Sequence, residues 1–293
     1  MAQLFERIAI VGFGLIGSSL ARAVRKRNLA RTIVACDTGA EARAAIERLH
    51  LADFVTGDAA EAVCGADLVV IATPLSAYAA IAKAMASSLS PGTIVSDVGS
   101  VKEPVVRELP ALLPPHVTLV PGHPIAGTEN SGPESGLDSL FENRWFIVTP
   151  PPGASEKAVE KLAALWRGCG SKIEIMDAAH HDKVLAITSH LPHLIAYTIV
   201  GTAENLKEDA KAEVIKYSAS GFRDFTRIAA SDPTMWRDIF LNNREAVLEM
   251  LQRFNEDLTA LQRAIRRGEG EVLFDLFTRT REIRRRIVDP KQS

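Results

Sequence analysis

His123 stands between Gly122 and Pro124 in the run Pro121-Gly-His-Pro-Ile-Ala-Gly-Thr-Glu129, which opens a Gly/Pro/Ser-rich stretch reaching to about Arg144. An uncharged imidazole takes up a proton near neutral pH, and oxidation of a hydroxyl needs such a base beside a hydride acceptor. A lone histidine is more often structural. A long, heavily punctuated loop past a strand end is, however, where sites and lids are built. His50 and His116 have no such setting and read as surface residues.

Further along, Thr188-Ser-His-Leu-Pro-His193 holds His190 and His193, three apart and so on one face of a helix. A zinc site that draws on His180, His181 or Asp182 is conceivable, but no H-E-x-x-H or cysteine set accompanies the pair. Gly221–Arg227 and Ser231–Arg237 then place Arg223, Arg227 and Arg237 near Trp236. Guanidinium forks grip carboxylates at two points. Arg244 and Arg253 read as members of surface ion pairs.

The residues that would present a hydride acceptor lie near the N-terminus. Gly12-Phe13-Gly14-Leu15-Ile16-Gly17 follows an apolar, β-branched run (Arg7–Val11) and opens a helical pattern. In that context the three glycines allow a tight turn, close approach of a pyrophosphate, and close helix–strand packing. The helix N-terminus adds free N–H groups and a positive dipole end, and Ser18 is a possible hydroxyl donor. Asp37 falls 20 residues beyond Gly17, at the end of the second strand. A carboxylate there accepts from ribose hydroxyls and repels a 2′-phosphate, so the expected cofactor is NAD rather than NADP. Thr73 and Pro74 end another strand, where backbone would line the nicotinamide ribose, and Asp97–Lys102, with Ser100, ends the next.

The elements that must position these groups are strands alternating with helices: Thr32–Cys36, Leu68–Ala72, Thr93–Ser96, then Thr118–Val120 and Phe146–Val148. That alternation implies βαβ units and a parallel sheet covered on both faces. After Ile173–Met176 only helical patterns follow. Trp236, Phe240, Val247, Leu251, Phe254, Leu258, Leu261 and Ile265 form one apolar stripe, expected on a single long helix that pairs with its twin in a homodimer. The chain is thus read as α/β, with a Rossmann-type doubly wound domain at 1–175 and an all-α substrate-binding and dimerisation domain at 176–293.

Composition sets outer limits. A length of 293 residues suggests two domains, and 47% apolar with 24% charged residues is an ordinary globular balance. A net charge of −2 lacks the positive field of a nucleic-acid binder. Cys36, Cys64 and Cys169 form no CxxC pair, which speaks against a disulfide frame. No apolar run approaches the ~20 residues of a membrane span, and the N-terminus lacks a signal-peptide pattern. A cytoplasmic location without a membrane partner is expected.

Taken together, the segments GFGLIGSS, DVGSVK, GHPIAGTENSG, TSHLPH and GFRDFTRIAASDPTMWRDI, spanning residues 12 to 239, resemble the prephenate/arogenate (cyclohexadienyl) dehydrogenase family of tyrosine biosynthesis. The resemblance implies NAD-dependent oxidative decarboxylation of a cyclohexadienol. It makes His123 the residue that deprotonates the hydroxyl, Ser100 its assistant, and Arg227 the anchor of a substrate carboxylate. His190, His193 and Trp236 would line the rest of the pocket. Arg223 stands where some members carry lysine, with a possible effect on side-chain recognition or on a gate formed with Glu129. Tyrosine feedback, if any, is expected at the active site, because the sequence stops soon after the helical domain. Two rival readings are a β-hydroxyacid dehydrogenase, similar in the glycine loop only, and an NAD-sensing protein without chemistry, which the presence of His123, Ser100 and Arg227 argues against. Prephenate and arogenate differ by a keto against an amino group, and the sequence leaves that choice open.

Overall fold

Strand β1 (Phe5–Val11) sends Ile8 and Ile10 into one apolar core and Ala9 and Val11 into another. That alternation is what a strand buried on both faces requires. The same division holds for β4 (Leu68–Ile71), whose Leu68 and Val70 face one core and Val69 and Ile71 the other. The computed structural model describes residues 3–205 and 220–288.

Around these strands lie β2 (Ala30–Cys36), β3 (Phe54–Thr56), β5 (Ile94–Asp97) and β6 (Thr118–Leu119). They form a six-stranded sheet in the order β3-β2-β1-β4-β5-β6, with every pair parallel. The crossovers are α1 (Leu15–Lys26), α2 (Ala40–Arg48), α3 (Ala59–Val63), α4 (Tyr78–Met85) and α5 (Glu103–Glu108). This is the doubly wound order in which ligands bind beyond the carboxyl ends of the strands, where the order reverses between β1 and β4.

The later strands do not extend that sheet. β7 (Gly122–Pro124), β8 (Trp145–Val148) and β9 (Lys172–Ile175) make a separate three-stranded sheet, with β7 antiparallel and β9 parallel to β8. Helix α6 (Glu156–Gly168) covers it, with Trp166 stacked on Phe146 at 4.0 Å. His123 therefore sits in a strand, paired with Ile147, and not in the loop its Gly and Pro neighbours suggested.

From Ala178 onward every described element is helical. α7 (Ala178–Leu185), a π-helical turn (Ala186–His190) and α8 (Leu191–Glu204) run on as one helix of 27 residues. Pro192 has no N–H to close the regular ladder, and the carbonyls before it shift register into the wider turn. By length and composition this helix is apolar enough to cross a bilayer, contrary to the expectation from the sequence. Its buried face carries His181, Asp182 and His190, all bonded to other polar groups of the same unit.

Next come α9 (Ser220–Thr226), a 3-10 turn (Arg227–Ala230) and α10 (Pro233–Asn242), which Asp232 caps by accepting from the Met235 N–H. The chain divides into two compact units at Arg244/Glu245, so the helices up to α10 pack as part of the first. The second unit holds most of α11 (Arg244–Arg267) and α12 (Gly270–Val288). The apolar stripe consequently does not lie on one helix. Asn243 leaves helical geometry (φ −105°, ψ 35°), and its buried amide turns inward to bond Asp182 and His190. Trp236 and Phe240 belong to the first unit, while Val247 through Ile265 belong to the second. There, a groove of about 720 Å³ runs along α11, lined by Leu248, Leu251 and Ala260 among others.

Candidate active site

The glycine loop has the geometry its spacing predicted. Gly12 adopts φ +97°, and a Cβ there would lie 2.7 Å from the Ala72 carbonyl oxygen. A Cβ on Gly17 would sit 2.0 Å from the Gly12 carbonyl oxygen, so helix and turn meet as closely as backbone allows. A Cβ on Gly14 would meet nothing within 4 Å, which leaves the space beside that backbone open. Gly14 is the N-cap of α1 and no side chain caps the helix, so its first N–H groups are left for an anion.

At the end of β2, Asp37 accepts from the Phe13 N–H at 3.0 Å and the Gly39 N–H at 2.8 Å. Its carboxylate is thereby fixed beside the loop, with lone pairs left over for ribose hydroxyls. Thr73 and Pro74 follow β4, and the Thr73 methyl would lie 2.7 Å from a Cβ on Gly12. These residues fit a dinucleotide. The Ser18 hydroxyl is committed elsewhere, donating to the Gly14 carbonyl at 2.6 Å.

His123 is 7% exposed, and its Nδ1 lies 2.9 Å from His181 Nε2. His181 Nδ1 in turn lies 2.7 Å from Asp182 Oδ1. Asp182 accepts one backbone N–H on each oxygen, from Lys102 and from Glu103, both at 2.8 Å. It thus caps α5 from a distant helix. Beneath His123, the fully buried Lys102 ammonium pairs with Asp97 and donates to the Gly122 carbonyl at 2.9 Å. Asp97 also accepts from the Tyr78 hydroxyl (3.0 Å) and the Gly99 N–H (2.8 Å). Burial pushes the His123 pKa well below its usual value, and His181, Lys102 and His190 push the same way. Burial also lowers His181, against the opposing pull of Asp182. The imidazole on β7 is therefore held uncharged.

The helical wall brings His190, His193 and Trp236 together. His193 stacks on the Trp236 indole at 3.7 Å, and His190 meets the same ring edge-on at 6.2 Å. Burial lowers the His190 pKa to about 4, with the Asp182 charge pulling the other way. His193 Nδ1 donates to the Ser189 carbonyl. Two buried nitrogens, His190 Nε2 and Trp236 Nε1, have no hydrogen-bond partner among the described residues. Buried polar atoms are seldom left so, and a polar ligand would satisfy them.

Arg227 lies in the 3-10 turn and pairs with Glu129 at 3.1 Å, both ends partly exposed. Its charge is felt at His193, whose pKa it helps to lower after burial has done most of that. Glu129 is thus paired with Arg227, while Arg223 is exposed on α9. Arg237 is engaged by Asp238 through Nε at 3.0 Å and Nη2 at 2.7 Å. Arg253 pairs with Glu249 within α11.

Five residues of this arrangement escaped the sequence reading: Asp97, Lys102, His181, Asp182 and Asn243. Asp97 and Lys102 lie within a segment already marked as functional. His181 and Asp182 drew notice only as conceivable metal ligands, and no metal-binding cluster occurs among the described residues.

Comparison with known proteins bears on the whole chain. Residues 20–175 match the model for the prephenate dehydrogenase nucleotide-binding domain, and residues 177–279 match that for its dimerization domain. The cyclohexadienyl dehydrogenase of Zymomonas mobilis is 42% identical over 281 residues, covering 96% of both chains. The prephenate dehydrogenase of Bacillus subtilis is 33% identical over 285 residues, covering 97% of this chain and 76% of its own. Among solved structures, Aquifex aeolicus prephenate dehydrogenase with hydroxyphenyl propionate and NAD+ superposes with a TM-score of 0.89 at 34% identity, covering 96% of this chain and 98% of that one. With both domains matched in order and with relatives of this identity and coverage, the chain belongs to the prephenate dehydrogenase family.

Proposed function

We propose that this protein catalyses the NAD-dependent oxidative decarboxylation of prephenate, arogenate or both, yielding 4-hydroxyphenylpyruvate or tyrosine. The observation that carries the reading is a buried, uncharged His123 that shares its surroundings with His190, whose Nε2, like Trp236 Nε1, is a buried nitrogen without a hydrogen-bond partner. NAD, when bound at the loop, accepts hydride from the hydroxyl-bearing ring carbon, and loss of the ring carboxylate as CO2 aromatises the product. His123 takes the hydroxyl proton, and Ser100, in the adjacent Asp97–Lys102 turn, orients that hydroxyl. The orphaned nitrogens of His190 and Trp236 meet polar groups of the substrate, while His193 stiffens the Trp236 ring by stacking on it. Arg227 exchanges Glu129 for a substrate carboxylate. Asp37 holds the adenosine ribose and disfavours a 2′-phosphate.

Residues 1–175 serve as the nucleotide-binding domain and 176–293 as the helical substrate and dimerisation domain. The exposed Leu258 and Ile265 of α11, with Phe274 and Phe277 of α12, support a homodimer formed through the helical domain. Three free, scattered cysteines fit a reducing cytoplasm. Nothing in the charge balance favours a nucleic-acid partner.

Incubation of the purified protein with NAD and each substrate, followed by NADH absorbance and CO2 release, tests this reading. Equimolar NADH and CO2 are expected with at least one substrate, and the ratio of kcat/KM values sets the preference. Absence of both products with both substrates would remove the assignment.

A further inference from the structure

Helix α7 reaches the base of the reaction from behind, through two consecutive side chains with no place in the chemistry so far. We propose that His181 and Asp182 are positioning residues that lock His123 as its Nδ1–H tautomer and share the positive charge formed when His123 Nε2 takes the substrate proton. The proposal rests on the reading of His123 as the base.

Both Asp182 oxygens accept backbone N–H groups at the start of α5, and Asp182 faces His181 as an acceptor. The proton on the 2.7 Å contact therefore belongs to His181 Nδ1. In neutral His181 the lone pair is then on Nε2, so the 2.9 Å contact must be a hydrogen bond donated by His123 Nδ1–H. That leaves the lone pair of His123 on Nε2, the nitrogen free to meet a substrate. A histidine oriented by a carboxylate uses this logic with one ring; here a second ring stands between carboxylate and base.

The surroundings decide where charge can settle. The Lys102 charge disfavours a proton on either imidazole, while its partner Asp97 favours one on His181. His190 faces His123, and Asp182 is the anion nearest the pair. As the substrate O–H bond breaks and the Nε2–H bond of His123 forms, the Nδ1 proton moves toward His181 Nε2. One proton enters the pair, none leaves, and Asp182 keeps its charge throughout. The Asn243 amide, donating to the Asp182 backbone carbonyl at 2.8 Å, holds the helix in place for this.

The test uses nitrogen NMR of the histidines in the free protein at neutral pH, together with steady-state kinetics. His123 is expected to carry its proton on Nδ1. His181→Phe, which keeps a ring but offers no acceptor, should shift His123 toward the Nε2–H form and lower kcat roughly 100-fold. KM and the dissociation constant for NAD should stay close to wild type. His181→Gln, whose amide oxygen can accept from His123 Nδ1, should restore the tautomer and recover part of kcat. A wild-type His123 protonated on Nε2 would overturn the proposal, as would a folded His181→Phe variant turning over within a few-fold of wild type. If His181→Phe does not fold, the wild-type and Gln spectra decide. A wild-type protein inactive on both substrates would defeat the functional reading instead, and the tautomer measurement would still stand.

Discussion

Lowering the pH should destabilise this fold before its carboxylates begin to protonate, because its site is built on buried neutral imidazoles. His190 offers the clearest magnitude. It is fully buried, and its pKa falls from 6.5 to about 4. With the folded pKa depressed, the unfolded chain binds the extra proton first. The stabilisation is complete above the unfolded value and is lost as pH falls through 6.5 toward 4. The full shift corresponds to about 3 kcal/mol, of which about 2 kcal/mol is gone by roughly pH 5. That is a large share of a usual total of roughly 5–15 kcal/mol. His123, lowered by burial, adds to the loss in the same direction. Urea unfolding followed by tryptophan fluorescence at about pH 7.5 and about pH 5 reads the difference directly. His190→Gln, uncharged at both, should lose about 2 kcal/mol less on acidification than the wild type does. A wild type equally stable at both pH values would refute the reasoning, and so would a variant with the full acid sensitivity.

Other outcomes follow from the same geometry. Asp37→Ser should erode the preference for NAD, while equal kcat/KM with NAD and NADP in the wild type would remove the role given to Asp37. Arg227→Ala should raise KM strongly, by the roughly 2–5 kcal/mol that loss of a buried charged partner costs once the substrate is bound. NAD affinity should be unchanged in that variant, and an unaltered KM would send the search for the anchor to Arg223. Sedimentation at micromolar concentration should give a dimer, and a monomeric mass would contradict the pairing of the helical domains.

What could be read in advance depended on whether a residue's partners were near in sequence. Gly12 and Gly17 sit in a local turn and Asp37 a fixed strand-to-strand distance away, so spacing alone indicated the positive-φ turn, the close helix contact and a carboxylate beside the loop. The strand cores of β1, β2, β4 and β5 were legible as unbroken apolar runs. β3 and β7 are only three residues long, and β7 is bounded by Gly122 and Pro124, so neither has a pattern to detect. The break at Asn243 was hidden for a different reason. Apolar spacing continues through it, and only the contacts of its side chain with Asp182 and His190 explain why the helix ends there. The pairing of His123 with His181 spans 58 residues and is a product of tertiary packing. Sequence adjacency of His181 and Asp182 was visible, but the partner that gives it meaning was not.

His123 as the proton acceptor is the centre of the proposed chemistry. Its most direct test is single-turnover hydride transfer in His123→Asn at saturating substrate and NAD, with NAD binding measured on the same sample. A rate lowered by roughly 100-fold or more is expected, the scale of a lost general base, with NAD bound as tightly as before. Transfer at the wild-type rate in that variant would contradict it.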